Sequence, residues 1–283
     1  MNPSETKGNF ISGNGVSIFY RHRSATSERA RLVLSHGLGE HSGRYSHVID
    51  RMADMGISVW ALDHQGHGQS GGNRGHIERF ELYLDDLKQV IDMAKKNLPD
   101  GMKCFLLGHS MGGLIVLRFA EIYNGFIDGV IASSPGLAPA IKIPVVKGGA
   151  AKFLSKIWPS LTFDNELDTS QLSHDLDVVQ EYIDDPLVNR RISARWFTEF
   201  LSAMEATNTA AEKIQIPTLI QVAGADRIVD PGASKTFFNS LTTKDKTLFI
   251  YDDLYHEIYN EVNTDREKVL NDLSQWAEHQ IQN

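Results

Sequence analysis

Short apolar segments alternate with stretches of helical periodicity along most of this chain. Strand-length apolar runs cover residues 31–35 and 57–62, and the segments 44–55 and 80–98 carry apolar residues at helical spacing. Buried strands that alternate with amphipathic helices indicate a mostly parallel sheet covered by helices on both faces. The sequence therefore predicts an α/β fold. Further strands are expected at 103–108, 129–133, 217–222 and 246–251.

Both ends of the chain follow simple patterns. Residues 9–20 predict a β-hairpin, because two β-prone runs flank the turn signal Asn14-Gly15. Residues 265–280 predict an amphipathic helix that closes the fold.

The alternation of strands and helices stops between residue 135 and about residue 214. Helical stretches follow one another there without strands, the clearest at 194–213, and four prolines interrupt the region. We interpret this region as a helical cap, or lid, inserted over a functional site. The predicted division is a core of residues 1–136 and 212–283 and a cap of residues 137–211. The four prolines are Pro139, Pro144, Pro159 and Pro186.

Composition and charge exclude several classes of function. The 283 residues are 41% hydrophobic, which is enough for a core that needs no disulfides. The single cysteine, Cys104, lies within a predicted strand, where a buried apolar role is favoured over redox chemistry. A net charge of −8 without a basic cluster argues against nucleic acid. No apolar run reaches the length of a membrane span, and residues 1–8 are polar. A cytoplasmic protein, at most peripheral to a membrane, is expected.

The candidate chemistry centres on Gly108-His109-Ser110-Met111-Gly112. The motif Gly-x-Ser-x-Gly follows a predicted strand and precedes a predicted helix, and this order is typical of a nucleophile elbow. Such a sharp turn exposes the serine hydroxyl above the sheet, and the flanking glycines allow strand and helix to approach closely. Ser110 is therefore the candidate nucleophile. The alternative is a tight turn with an inactive serine.

A serine hydroxyl needs a base to accept its proton and an acid to orient that base. In folds with this elbow the acid and then the histidine follow the serine, at the carboxyl ends of later strands. Asp226 and His256 satisfy both the order and the placement. The alternatives are a turn or N-cap aspartate, for which Asp230 is the better candidate, and a surface loop histidine.

Two backbone amides are the expected oxyanion donors. The amide of Met111 follows the nucleophile, and the amide of Leu38 lies in the loop after the first parallel strand. The glycine-rich turns around them carry His36, His41, His64 and His67. These histidines could suggest a metal site, but no cysteine or carboxylate pattern completes a coordination set, so a role in loop shape is favoured. No metal and no organic cofactor are expected.

The assembled motifs resemble those of monoacylglycerol lipases and the related bacterial lysophospholipase-like esterases of the α/β-hydrolase superfamily. The resemblance spans the chain from about residue 30 to its end. It rests on SHGLGEHSGRY at 35–45, DHQGHGQSG at 63–71, LGHSMGG at 107–113, GAD at 224–226 and YH at 255–256.

The resemblance implies an α/β-hydrolase fold with Ser110, Asp226 and His256 as the catalytic triad. It implies the oxyanion donors already named, and it places Glu40 and Arg44 at the polar, glycerol side of the pocket. The sequence departs from the family's pattern at two places that bear on the identity of the substrate. Leu38 stands where the animal monoacylglycerol lipases have alanine, and the cap motifs at 172–175 and 184–188 resemble the lysophospholipase branch.

The expected function is hydrolysis of a lipid-like monoester through an acyl-enzyme, with monoacylglycerol as the expected substrate. The open alternatives are a lysophospholipase, a general carboxylesterase, cleavage of thioester, epoxide or peptide bonds, and a non-catalytic ligand-binding homologue. Ser110 argues against epoxide chemistry, for which an elbow aspartate is usual. Apolar residues of the early cap either contact a lipid chain and a membrane or micelle surface or pack on the core. They are Ile141, Ile143, Val145, Val146, Leu154, Ile157 and Trp158. Oligomeric state does not follow from the sequence.

Overall fold

The computed structural model describes residues 5–141 and 145–283, with side chains for all of these except 145–147. The strands are β1 (Glu5–Ile11), β2 (Ser17–Arg23), β3 (Ala30–Ser35), β4 (Ile57–Leu62), β5 (Lys103–His109), β6 (Gly129–Ser133), β7 (Thr162–Asp164), β8 (Arg191–Ser193), β9 (Thr218–Ala223) and β10 (Lys246–Tyr251). The α-helices are α1 (Ser46–Asp54), α2 (Glu81–Lys95), α3 (Met111–Ile122), α4 (Val145–Ile157), α5 (Leu176–Asp184), α6 (Ala194–Asn208), α7 (Pro231–Ser240) and α8 (Asn263–Gln282).

The main sheet in the described part of the chain has eight strands in the order β1-β2-β4-β3-β5-β6-β9-β10. The hairpin β1–β2 pairs antiparallel, as does β2 with β4, and every other neighbouring pair is parallel. The predicted hairpin and the predicted α/β-hydrolase fold class are confirmed. Because β3, β5, β6, β9 and β10 run parallel, the loops that follow them meet at one edge of the sheet.

Apolar residues cover both faces of this sheet. One core cluster joins the sheet to α2 and α3, and a second joins its other face to α1 and α8. Cys104 lies on β5 and is fully buried, and burial raises the pKa of its thiol to about 12. It therefore packs as a small apolar residue, as expected from its place in a strand.

Between β6 and β9 the chain forms α4, α5 and α6 with the short antiparallel pair β7–β8. The prediction of helices without strands in this region was therefore wrong in that detail. The assignment of residues 137–211 to a separate cap remains a prediction. Ile143 and Pro144 lie outside the described residues, as do the side chains of Val145 and Val146.

Two predicted helices end earlier than expected. The helix expected to reach residue 98 ends at Lys95, because Lys96 is extended and Asn97 has a φ of 56°. The helix expected to reach residue 213 ends at Asn208. The Thr209 hydroxyl donates to the Glu205 and Ala206 carbonyls at 3.1 and 3.0 Å, so it supplies hydrogen bonds at the helix end.

Candidate active site

Ser110 occupies the single residue between β5 and α3 and adopts an unusual backbone conformation. Its φ is 54° and its ψ is −115°, outside the regions that residues with a side chain usually adopt. The strained turn is held by hydrogen bonds from the Ser110 amide to Ser133 O at 2.9 Å and from the Gly136 amide to Ser110 O at 2.8 Å. A strained, strongly held serine at the end of a strand is the geometry that the motif predicted.

The two motif glycines are required by close backbone contacts. A Cβ atom on Gly108 would lie 2.1 Å from Gly112 O, and one on Gly112 would lie 2.1 Å from Ser35 O. No side chain fits either position without moving the backbone. The strand, the turn and the start of α3 therefore pack together only with glycine at both positions.

Asp226 and His256 form a buried pair on neighbouring loops after β9 and β10. The His256 Nδ1 and Asp226 Oδ2 atoms are 2.6 Å apart, and both side chains are almost fully buried. The other Asp226 oxygen accepts the amides of Ile228 and Val229 at 2.8 and 3.0 Å. These bonds fix the carboxylate, which in turn fixes the imidazole and leaves Nε2 for proton transfer. Asp230, by contrast, is the N-cap residue of α7.

Opposing effects set the protonation of this pair. Burial lowers the pKa of His256, but the nearby carboxylates of Asp226, Glu257 and Glu40 outweigh it and raise the pKa above its ordinary value. Burial raises the pKa of Asp226, and His256 together with the loop amides lowers it below its ordinary value. The protonated imidazole is thus stabilised within a buried site.

Ser110 and His256 line one cavity of about 270 Å³. Leu38 and Gly37 form part of its wall, and Asp226 lies behind His256. Much of the remaining wall is apolar, and α6 contributes five residues to it. Its α6 residues are Trp196, Phe197, Phe200, Leu201 and Met204.

The two residues predicted to supply the oxyanion donors both lie near Ser110. Met111 is the first residue of α3, whose first amides have no acceptor within the helix. Leu38 follows Gly37, and a Cβ atom on Gly37 would lie 3.3 Å from the Ser110 Cβ. The loop after β3 therefore lies directly against Ser110.

The two polar residues assigned by resemblance lie in a buried hydrogen-bonded network. Glu40 lines the cavity, and its Oε1 accepts the Gly37 amide at 2.6 Å and the Tyr45 hydroxyl at 2.5 Å. Arg44 does not line this cavity. Its Nη1 donates to Glu40 at 2.9 Å, and its two terminal nitrogens donate to Glu257 at 2.6 and 2.8 Å.

Glu257 and Tyr182 are among the polar residues of the cavity wall that sequence reasoning missed. The others include Asn165, Glu166, Asp168, Gln171 and Arg227. Glu257 follows His256 directly, but its partner Arg44 is 213 positions away, so the sequence carries no local signal for the pair. Tyr182 lies on α5 at a spacing typical of core residues. Its ring lies 4.8 Å below the Arg44 guanidinium, and its buried hydroxyl has no hydrogen-bond partner among the described residues.

The histidines of the glycine-rich turns pack against one another. The His36 ring lies 4.7 Å from that of His64 and 5.4 Å from that of His67, and burial lowers the pKa of all three. His36 Nδ1 contacts Gly37 O at 2.7 Å, so the cluster supports the loop that carries Leu38. Within residues 5–141 and 145–283, no group of three or more His, Cys, Asp or Glu is arranged to hold a metal.

Comparison with known proteins matches the sequence to the family described as serine aminopeptidase, S33 (Hydrolase_4), over residues 26–263. The chain is 31% identical to a monoacylglycerol lipase of Mycolicibacterium smegmatis, covering 98% of both proteins. It is 36% identical to phospholipase YtpA of Bacillus subtilis, over 82% of this chain and 89% of that protein. The crystal structure of Paleococcus ferrophilus monoacylglycerol lipase is also similar, with 36% identity and a TM-score of 0.84. That comparison covers 100% of this chain and 99% of the other.

These similarities confirm the resemblance inferred from the motifs. They extend over both the predicted core and the predicted cap, because the matched regions include almost the whole chain. Among the described residues, no helix combines the length and apolarity needed to cross a membrane.

Proposed function

Because this chain belongs to the serine aminopeptidase S33 family and is a serine ester hydrolase, we propose that it cleaves monoacylglycerols to fatty acid and glycerol. The observation that carries the proposal is the composition of one cavity. An apolar wall from α6 accommodates an acyl chain, and a polar end with Glu40, Glu257 and Tyr182 adjoins His256.

In the proposed acylation, His256 Nε2 accepts the hydroxyl proton of Ser110 while Oγ attacks the ester carbonyl. Asp226 holds the imidazole through Nδ1 and stabilises its cationic form. The tetrahedral intermediate collapses when its C–O bond to the alcohol breaks and His256 returns the proton to that oxygen. Glycerol leaves, and the acyl group stays on Ser110.

The amides of Leu38 and Met111 are proposed to bind the oxyanion of this intermediate. Loss of one such donor typically lowers the rate by about 10²–10³-fold. Water then attacks the acyl-enzyme with His256 as base. The second intermediate collapses when its bond to Ser110 Oγ breaks, which releases the fatty acid, and His256 returns the proton to Oγ. No further reactant is needed.

Tyr182 supports an alcohol with free hydroxyl groups at the polar end. Its hydroxyl is buried and has no partner within the described part of the chain, although burial of an unpaired hydroxyl is unfavourable. A glycerol hydroxyl would complete its hydrogen bonding. This hydrogen bond would favour substrates whose alcohol carries a free hydroxyl group.

Lysophospholipid hydrolysis is the second candidate, because one relative is named a phospholipase. The chemistry at Ser110 would be the same, and only the alcohol would differ. A general carboxylesterase would need neither the acyl wall nor the polar end.

We further propose that α4 contacts lipid surfaces. Phe153 and Ile157 lie one helical turn apart and are 64% and 66% exposed, and Trp158 beside them is 60% exposed. Lys152 and Lys156 are exposed on the same helix. Exposed apolar residues accompanied by lysines are typical of helices that bind at a membrane surface. Leu154, by contrast, is partly buried.

Hydrolysis by the wild type and Ser110→Ala tests the proposed function. Monoacylglycerols of short to long chain, lysophosphatidylcholine and small activated esters are compared in one assay. Preference for monoacylglycerol that is lost in Ser110→Ala supports the proposal. Preference for lysophosphatidylcholine favours the second candidate, and turnover of small esters alone contradicts both lipid assignments.

A further inference from the structure

The polar end of the cavity carries more negative than positive charge. Burial raises the pKa of Glu257, but Arg44 outweighs burial and lowers the pKa below its ordinary value, so Glu257 is ionised. Glu40 also accepts a hydrogen bond from Arg44. Asp226 adds a third carboxylate, and burial lowers the pKa of the neighbouring His109 to about 4, which leaves that imidazole neutral.

Arg44 is the cation bonded to these carboxylates, and its donors are already engaged. Arg227 also lines the cavity, at an exposed position near Asp168. Both of its terminal nitrogens donate to Glu257, one of them also donates to Glu40, and the Tyr182 ring lies against the guanidinium at 4.8 Å. An arginine binds phosphate through the same paired N–H groups that here face a carboxylate. Because Arg44 does not line the cavity and its donors face carboxylates, a phosphate group at the polar end would meet the carboxylates of Glu40 and Glu257.

We propose that Glu257 is a specificity-determining residue that excludes phosphate-bearing alcohols from the polar end of the cavity. It does so by adding a second buried carboxylate beside Glu40 to the cavity wall. The inference rests on the proposed function, and it deepens it by restricting the leaving alcohol to uncharged ones.

The carboxylates also raise the pKa of His256, so the pH profile of the activity gives a second, independent test. The charged and titratable groups around His256 are Asp226 after β9, Glu40 after β3, His109 at the end of β5 and Glu257 on its own loop. Loss of the Glu257 charge makes protonated His256 less stable. The acid limb of the pH profile then moves to lower pH, by about half a unit to one unit.

The test compares a 1-monoacylglycerol with the same lipid carrying a phosphate on its third hydroxyl. Both are used below their aggregation limits, so that the two substrates differ only in the phosphate. For the wild type we expect kcat/KM to favour the uncharged lipid by at least about 100-fold, since like charges in a buried site repel strongly. Glu257→Gln should narrow this preference at least about tenfold, because it removes one of the two carboxylate charges that the phosphate meets.

Two further variants distinguish an effect of charge from a disturbance of the local structure. Arg44→Gln/Glu257→Gln also removes the guanidinium charge and so restores the net negative charge of the Glu40–Arg44–Glu257 network. The preference for the uncharged lipid, narrowed in Glu257→Gln, should therefore widen again. Asp253→Asn makes the same change of charge on the same loop at an exposed position, and neither the preference nor the pH profile should move. Thermal melting shows whether each variant is folded.

The proposal is overturned if the wild type prefers the uncharged lipid by less than about threefold. It is also overturned if folded Glu257→Gln keeps both the preference and the pH profile of the wild type. If Glu257→Gln does not fold, inhibition of the wild type by the two free alcohols provides the test. Glycerol should inhibit more strongly than glycerol 3-phosphate, and the reverse order would contradict the proposal. Absence of turnover of both lipids would instead overturn the proposed function, and the inference with it.

Discussion

An isolated imidazole in the buried position of His256 would remain neutral, because desolvation disfavours its charged form. The carboxylates around it change this balance. Asp226 contacts Nδ1 at 2.6 Å, and Glu257 and Glu40 add further negative charge. The raised pKa of His256 means that the cation formed during the proposed proton transfer is stabilised before the reaction begins.

Asp226→Asn tests this arrangement at the level of one atom. The amide removes the negative charge, so we expect kcat to fall by about 10³–10⁴-fold, as expected when the imidazole loses its orienting acid. His256 must be neutral to act as a base, and its raised pKa places the acid limb of the wild-type profile above pH 6.5. In the variant, the residual activity should persist to lower pH.

Asp230→Asn is the control for this variant, because Asp230 caps α7 and lies outside the cavity. Steady-state kinetics across pH on a soluble monoacylglycerol measure both effects. A decrease in kcat smaller than about tenfold in Asp226→Asn would contradict the role assigned to Asp226.

Tyr182→Phe tests the polar end of the cavity. Loss of one neutral hydrogen bond should raise KM for monoacylglycerol by about 3–10-fold, with kcat little changed. The methyl ester of the same fatty acid lacks the glycerol hydroxyls, so its KM should be equal in wild type and variant. An equal rise in KM for both substrates would show that Tyr182 only shapes the cavity.

At the scale of secondary structure, local sequence predicted most of the sheet and the nucleophile turn. Gly108 and Gly112 mark a turn that only glycine allows, and the apolar runs are long enough to identify the parallel strands. The pair β7–β8 could not be predicted in this way, because each strand has only three residues. The Arg44–Glu257 contact depends on the completed fold, so no local pattern reveals it.

The exposed face of α4 gives a prediction for one element. Phe153→Ser/Ile157→Ser should bind vesicles of anionic lipid more weakly and show a higher apparent KM on long-chain emulsions, since less apolar surface enters the membrane. Turnover of a soluble short-chain monoacylglycerol should not change. Sedimentation with vesicles and kinetics on both substrates measure the two effects.

Leu176→Ser is the matched control for α4, because Leu176 is 77% exposed on a different helix. It should bind vesicles as the wild type does. Equal loss of binding in both proteins would mean that the contact is not specific to α4, and unchanged binding in the α4 variant would contradict the proposed surface.

At the scale of the whole molecule, the segment between β6 and β9 is joined to the rest of the chain on two sides of the cavity. The Asn189 amide donates to Gly39 O at 2.7 Å, next to Leu38, and the Glu257 amide donates to Leu172 O at 2.8 Å, next to His256. Motions of this segment would therefore reach both the proposed oxyanion loop and the proposed base. Such coupling arises from contacts between distant parts of the sequence. The pattern of helices and prolines predicts an inserted cap here, but it could not predict these contacts.

Stability against unfolding should depend on pH through a buried carboxylate far from the cavity. Asp86 on α2 is fully buried, accepts a hydrogen bond from the Ser12 hydroxyl, and has a second oxygen without a partner among the described residues. Burial raises its pKa to about 6 in the folded protein, whereas the unfolded chain titrates near the ordinary 3.8. Between these values the folded state binds more protons, so this group's contribution to stability is lost as pH rises through about 6.

Asp86→Asn should remove this loss, because the amide stays neutral at every pH. We expect the variant to be more stable than the wild type by about 1–3 kcal/mol above pH 7, with the difference shrinking towards zero near pH 4. Urea unfolding at several pH values measures this difference in the free energy of unfolding. Asp85→Asn is the control, because Asp85 is partly exposed, and it should change stability by less than about 0.5 kcal/mol. If the difference in stability between Asp86→Asn and the wild type does not change with pH, the pKa of Asp86 is the same in the folded and unfolded states. Asp86 would then be ionised in the folded protein at every pH above its ordinary pKa. The cost of burying its charge would then have to be offset by contacts other than the Ser12 hydroxyl.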